Sequence, residues 1–131
     1  MDHAAARQNM VDCQILPNSV TSPHLVDCLL ELPREEFVPG ELKGVAYVDE
    51  ALPLGGGRYL MEPMVTARLL EEAALSPDDV ALCIGCASGY LAALLAKLVS
   101  TVVAVEADKA LAGRVSETFI QLGIDNVAVV E

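Results

Sequence analysis

Residues 81–98, ALCIGCASGYLAALLAKL, decide the fold of this chain. The apolar run from Val80 to Ile84 has strand texture, and beyond Gly85, Ser88 and Gly89 the chain turns amphipathic. A strand that enters a helix through a glycine-containing turn opens a βαβ unit. The same alternation continues downstream, with strands predicted at Thr101 to Val105 and Val127 to Val130. Between them a helix is predicted from about Lys109 to Leu122, with Leu111, Val115, Phe119 and Leu122 on one stripe and Gly123 just past its end. All three strands are nearly continuously apolar, the pattern of parallel strands covered on both faces. Short connections imply right-handed crossovers, so residues 79–131 are predicted to form a βαβαβ half of a parallel sheet.

Upstream, residues 1–78 have a different texture. A short helix is predicted from Ala4 to Cys13, and Ser22-Pro23 has the form of an N-cap and first-turn proline for a second helix through about Leu32. Leu25, Val26, Leu29 and Leu30 give that helix an apolar face. Pro33 and Pro39 bracket REEFV as a loop, and AYVDEALPLGGGRYL suggests two short extended pieces around a triple-glycine turn. Pro63 opens a third helix to about Leu75, and SPDD at 76–79 is a turn.

Composition restricts the function. With 131 residues, 53% of them hydrophobic, the chain has the length of one domain or a piece of one and ample apolar surface for a core. Eight basic against 19 acidic residues give a net charge of −11, which excludes a field that gathers nucleic-acid phosphates. The apolar stretches are broken before membrane-spanning length, and MDHAAARQNMVDC lacks the apolar core of a secretory signal. A cytoplasmic location follows as the expectation, with the four cysteines as thiols in the role of small buried hydrophobes.

In a βαβαβ unit, ligands sit at the carboxyl ends of the strands, where the first loop and a helix N-terminus direct N–H groups outward. Gly85 and Gly89 allow a tight turn and close approach, and Glu106 in VVAVEAD ends the next strand at the spacing, about 20 residues, of a ribose-binding acid. The loop and the acid together are the main functional signal, and they do not separate a dinucleotide from another adenosine cofactor. Cys83 and Cys86 form a CxxC, for which a redox pair is the alternative and a zinc site a weaker one, since Cys13 and Cys28 do not supply a second CxxC. His3, in a frayed terminus, and His24, in a first helical turn, are expected to be structural or solvated.

Taken in order, RQNMVDCQI, LPREEFVP, AYVDEALPLGGG, LLEEAAL, ALCIGCASGY and VVAVEAD resemble successive segments of the protein-L-isoaspartate O-methyltransferases. That resemblance implies an α/β, Rossmann-like class I methyltransferase fold, here incomplete: N-terminal helices plus the first βαβαβ half. It implies S-adenosylmethionine as cofactor and an isoaspartyl peptide or protein as methyl acceptor, the ester decaying through a succinimide toward aspartate. By position it assigns Gly85, Ala87, Ser88 and Gly89 to the cofactor loop and Glu106 to the ribose.

Three positions depart from the family pattern. Cys83 stands where an acidic residue is usual, Ala87 where a middle glycine is usual, and Met61 in YLMEP where a small hydroxyl residue holds the substrate. A thioether cannot donate that hydrogen bond, so Met61 is expected as a core filler and Glu62 as a helix-start carboxylate. Because the resemblance is to the N-terminal portion of the family, the chain is expected to lack turnover on its own, or to be a non-catalytic relative. Its first sheet strand would lie mid-sheet in the full strand order, so its open edge is expected to pair with a second copy, to exchange an element with one, or to mark the chain as a fragment of a longer product.

Overall fold

The computed structural model describes all residues from Met1 to Glu131. The chain divides into two compact units, Met1–Leu75 and Ser76–Glu131.

In the first unit, α1 (His3–Met10) begins with Asp2 capping the Ala5 N–H at 3.1 Å, so His3 is an ordered first-turn residue and not part of a frayed end. The α-helix ends at Met10, but the chain stays helical past Cys13, the predicted end. It widens into a π-turn over Val11–Ile15 and tightens to 3-10 geometry over Leu16–Asn18, because Pro17 cannot continue it. Met10, Val11 and Ile15 are buried through this change, whereas Cys13 is exposed, contrary to its expected burial. α2 (Pro23–Glu31) starts where Ser22-Pro23 predicts, but the Ser22 hydroxyl makes no cap bond. The residues leading into the helix are instead held by Glu71, whose carboxylate accepts from the Thr21 N–H at 3.1 Å and the Ser22 N–H at 3.2 Å. Those bonds hold Glu71 below the usual carboxylate range.

The REEFV segment is a 3-10 turn, Arg34–Phe37, and not an open loop. β1 (Leu52–Gly55) and β2 (Arg58–Leu60) form the antiparallel hairpin around Gly56 and Gly57. α3 (Pro63–Ala73) opens at Pro63, with Glu62 as its N-cap residue.

In the second unit, β3 (Val80–Ile84), β4 (Thr101–Val105) and β5 (Val127–Val130) form a parallel sheet in the order β3-β4-β5. Ala81, Val102 and Val127 lie in register, as do Cys83, Ala104 and Val129. The crossovers are α4 (Tyr90–Leu98) and α5 (Lys109–Leu122). Since the strands advance in one direction and crossovers are right-handed, both helices lie on one face. Cys83, Val102 and Ala104 are accordingly buried, along with Ala92, Leu94, Val115 and Phe119 of the helices. Asn126 ties the last turn of α4 to the start of β5, donating to the Ala96 carbonyl at 2.8 Å.

Coverage on both faces does not hold. Val80, Leu82 and Ile84, on the face opposite Cys83, are 70%, 63% and 76% exposed. Continuous apolar texture correctly gave parallel strands; it could not tell that one face carries no helix layer within this unit.

Candidate functional site

The loop after β3 is built from the backbone outward. The Val105 carbonyl at the end of β4 accepts from both the Gly85 N–H at 2.8 Å and the Cys86 N–H at 3.0 Å. The chain then turns through left-handed backbone at Gly85 (φ 69°), Ala87 (φ 52°) and Gly89 (φ 91°). Gly89 is the N-cap residue of α4 and lies hard against α5, where a Cβ would come within 2.9 Å of Val115 Cγ1 and 3.1 Å of Phe119 Cζ. Only glycine meets both demands there. Ala87 accepts a conformation that costs an L-residue about 1–2 kcal/mol. Its N–H, however, donates to Glu106 Oε1 at 2.9 Å.

Glu106 is fully buried, and its second oxygen accepts from the Asp108 N–H at 2.8 Å. Asp108 in turn caps α5, accepting from Ala110 and Leu111 N–H at 2.9 and 3.1 Å. One carboxylate thus ties the loop after β3 to the start of α5. The Ser88 hydroxyl is buried in this loop with no hydrogen-bond partner. The structure therefore brings Gly85, Ala87, Ser88, Gly89 and Glu106 together at the carboxyl ends of two adjacent parallel strands. Met61 belongs to the other unit, at the end of β2. It is 37% exposed and so is not a core filler.

The thiols do not form a reactive pair site. Cys83 and Cys86 are both buried, and burial pushes the Cys83 thiol above its usual range, away from the thiolate that redox chemistry uses. No group of three or more His, Cys, Asp or Glu side chains is arranged to hold a metal ion. A separate cleft of about 380 Å³ in the first unit is lined by His3, Met10, Cys13, Gln14 and Tyr47 and contains none of the loop residues.

A charged cluster in the first unit escaped the sequence reading. Tyr47 Oη accepts from Arg7 Nε at 2.8 Å and from the Arg34 N–H at 3.1 Å, and donates to the Glu35 carboxylate. Arg7 also pairs with Glu35 at 3.1 Å. Burial acts to raise the Glu35 pKa, but the Tyr47 bond, a backbone bond and the Arg7 charge outweigh it, so it lies below its ordinary value. For Tyr47, burial and the Glu35 bond push the phenol well above its ordinary value. The fully buried Arg34 donates to the Ala46 carbonyl at 2.6 Å and the Met61 carbonyl at 3.0 Å, joining both ends of the hairpin segment. Arg and Glu between two prolines look like a solvated turn in sequence. Only the distant Arg7 and Tyr47 make them a core.

A parallel sheet whose first glycine turn is tied to an acid at the end of the second strand defines half of a Rossmann-like, adenosine-cofactor fold. The family profile Protein-L-isoaspartate(D-aspartate) O-methyltransferase (PCMT) matches residues 5–131, and the chain belongs to that family. It is 37% identical over 126 residues to a protein-L-isoaspartate O-methyltransferase from Synechococcus sp., covering 96% of this chain and 52% of that one. It is 36% identical over 129 residues to the enzyme of the same name from Roseiflexus castenholzii, covering 98% of this chain and 59% of that one. The chain therefore spans a little over half the length of these curated relatives. Among solved structures, a protein-L-isoaspartate O-methyltransferase superposes with a TM-score of 0.80 at 29% identity, over 95% of this chain and 41% of that one. The fold also matches a putative protein-L-isoaspartate O-methyltransferase from Plasmodium falciparum, solved with S-adenosyl-L-homocysteine, with a TM-score of 0.76 at 20% identity, over 99% of this chain and 62% of that one. No helix is long and apolar enough to cross a membrane.

Proposed function

We propose that this chain supplies the S-adenosylmethionine-binding portion of a carboxyl methyltransferase acting on isoaspartyl residues, with residues 79–131 as the first half of the cofactor sheet. The observation that carries this reading is the Glu106 carboxylate bonded to the glycine loop at the carboxyl ends of β3 and β4, in a chain of this family. The buried, unpartnered Ser88 hydroxyl fits a polar ligand at the loop, since such a group costs free energy until something bonds it. Gly85 and Gly89 let the backbone approach the ligand, and Glu106 both ties the loop and accepts from ribose hydroxyls.

When bound, the sulfonium supplies an activated methyl group. An acceptor carboxylate is already ionised at neutral pH, so the work left to the protein is alignment, and no side chain needs to act as acid or base. Met61, exposed and without a donor, offers no hydrogen bond to a substrate oxygen. This chain by itself is accordingly expected to bind cofactor without turnover, in a reducing cytoplasm that suits its four free thiols. Alone, it is also expected to self-associate through the free edge of β3, which light scattering would detect.

Calorimetric titration with S-adenosylhomocysteine tests the site. Binding that is lost in Glu106→Ala supports it, while a folded chain with no binding refutes it. Methylation of an isoaspartyl peptide by the isolated chain would overturn the expectation of no turnover.

A further inference from the structure

The cleft of about 380 Å³ in the first unit runs along one face of α1 and the π-turn that follows it. Ala6, Met10, Cys13 and Gln14 lie on that face at helical spacing, and the segment from Lys43 to Val48 forms the opposite wall. Its two ends differ in chemistry. His3 and Lys43 stand at one end, because a Cβ on Gly44 would lie 3.9 Å from Met1 Cε, which sets the start of the 43–48 segment beside the start of α1. At the other end Gln14 Nε2 donates to the Tyr47 carbonyl at 2.8 Å, which fixes the side-chain amide and leaves its oxygen as the acceptor. That Oε1 is buried without a hydrogen-bond partner, and so is His3 Nδ1. Between the ends, Ala6, Met10 and Val45 present carbon.

Charge and size narrow what can bind. No acidic residue lines the cleft, in a chain with 19 acidic residues and a net charge of −11. Lys43 pairs with Glu36 at 3.4 Å between exposed side chains, and such a pair is loose enough for the ammonium to turn toward a bound anion. His3 and Gln14 are separated by roughly 16 Å at the rise of a helix. At ~30 Å³ for each water-sized group, the cleft holds about a dozen non-hydrogen atoms. These dimensions suit a linear molecule.

We propose that this cleft binds a linear amphipathic carboxylate with a hydroxyl at its far end. The carboxylate lies at His3 and Lys43, a saturated chain of about ten carbons packs on Ala6, Met10 and Val45, and the hydroxyl donates to Gln14 Oε1. A plain alkyl carboxylate leaves the buried amide oxygen unpaired, and a neutral diol leaves the cationic end without a counter-charge. The site lies wholly within the first unit and does not depend on the cofactor reading.

The probes are ω-hydroxydecanoate, decanoate and α,ω-decanediol, each titrated calorimetrically into the full chain at submicellar concentration. Cys13 supplies a second readout, since it lines the cleft and is exposed while Cys28, Cys83 and Cys86 are buried. Its alkylation by iodoacetamide should slow as ω-hydroxydecanoate saturates the cleft. The expected result is one-to-one binding of the hydroxy acid with Kd below about 1 mM. Decanoate should bind about threefold to tenfold more weakly, and the diol about tenfold or more. Gln14→Leu should remove the preference for the hydroxy acid over decanoate, and Lys43→Met most of the preference for the hydroxy acid over the diol. Ala6→Leu fills the trough and should abolish binding of all three while leaving the melting temperature within about 2 °C. Should Gln14→Leu unfold the chain, the order of the three probes in the unaltered chain still decides the role of the hydroxyl. Equal or reversed affinities, binding that survives Ala6→Leu, or undiminished alkylation of Cys13 at saturation overturns the proposal. So does a Lys43→Met chain with the full preference for the acid.

Discussion

Gly89→Ala should be among the most damaging single-methyl additions in the chain, and Gly123→Ala provides its control. Both glycines have left-handed backbone, φ 91° and 69°. An alanine in that region costs about 1–2 kcal/mol, part of which is offset because the unfolded chain also loses freedom, by about 0.4–1 kcal/mol. At Gly123 the new methyl meets no atom within 4 Å, so strain is the whole effect and about 1 kcal/mol is expected. At Gly89 it meets Val115 Cγ1 at 2.9 Å and the Phe119 ring at 3.1 Å, and both residues are buried. Relieving that contact requires α5 to move from the sheet, an overpacking penalty of about 1–3 kcal/mol on top of the strain. Gly89→Ala should therefore cost about 2–4 kcal/mol. Urea titration followed by far-ultraviolet circular dichroism at one protein concentration measures both, and the slope m should be unchanged. If Gly89→Ala proves no more costly than Gly123→Ala, the claim that close approach of α5 dictates this glycine is wrong.

Three further outcomes follow from the first unit. Arg34→Met should destabilise by roughly 2–4 kcal/mol, because it strips the donors from the Ala46 and Met61 carbonyls; Arg34→Lys should restore little, as an ammonium cannot reproduce the planar fork. Ala74 closes α3 at φ 48°, so Ala74→Gly should raise stability by up to about 1 kcal/mol in the same urea assay. The Arg7–Glu35–Tyr47 cluster should make stability depend on pH at both ends. The Glu35 pKa is lowered on folding, so its contribution is complete above the unfolded carboxylate range of about 4.3 and is lost as pH falls below it. The Tyr47 pKa is raised, so its contribution is complete below about pH 10 and is lost as pH rises beyond. Melting curves across pH should show the acid limb flattened in Glu35→Gln and the alkaline limb flattened in Tyr47→Phe.

By itself the sequence determined the local elements and their order. Apolar runs bounded by turns placed β3, β4 and β5 at their observed limits, and the stripe ending at Gly123 placed α5, because strand and helix periodicities are properties of neighbouring residues. Spacing also brought Glu106 to the glycine loop, since consecutive parallel strands end side by side. What only the tertiary structure decided were the pairings between residues remote in sequence. Glu71 holds the entry to α2 while the Ser22 hydroxyl caps nothing; Arg7 and Tyr47 turn a proline-bracketed charged turn into buried structure; Met61 and Cys13 lie at the surface where burial was expected. The bare face of the sheet belongs to the same class. A valine has the same strand preference whether or not a helix covers it, so coverage depends on which elements pack there and leaves no mark in the strand itself.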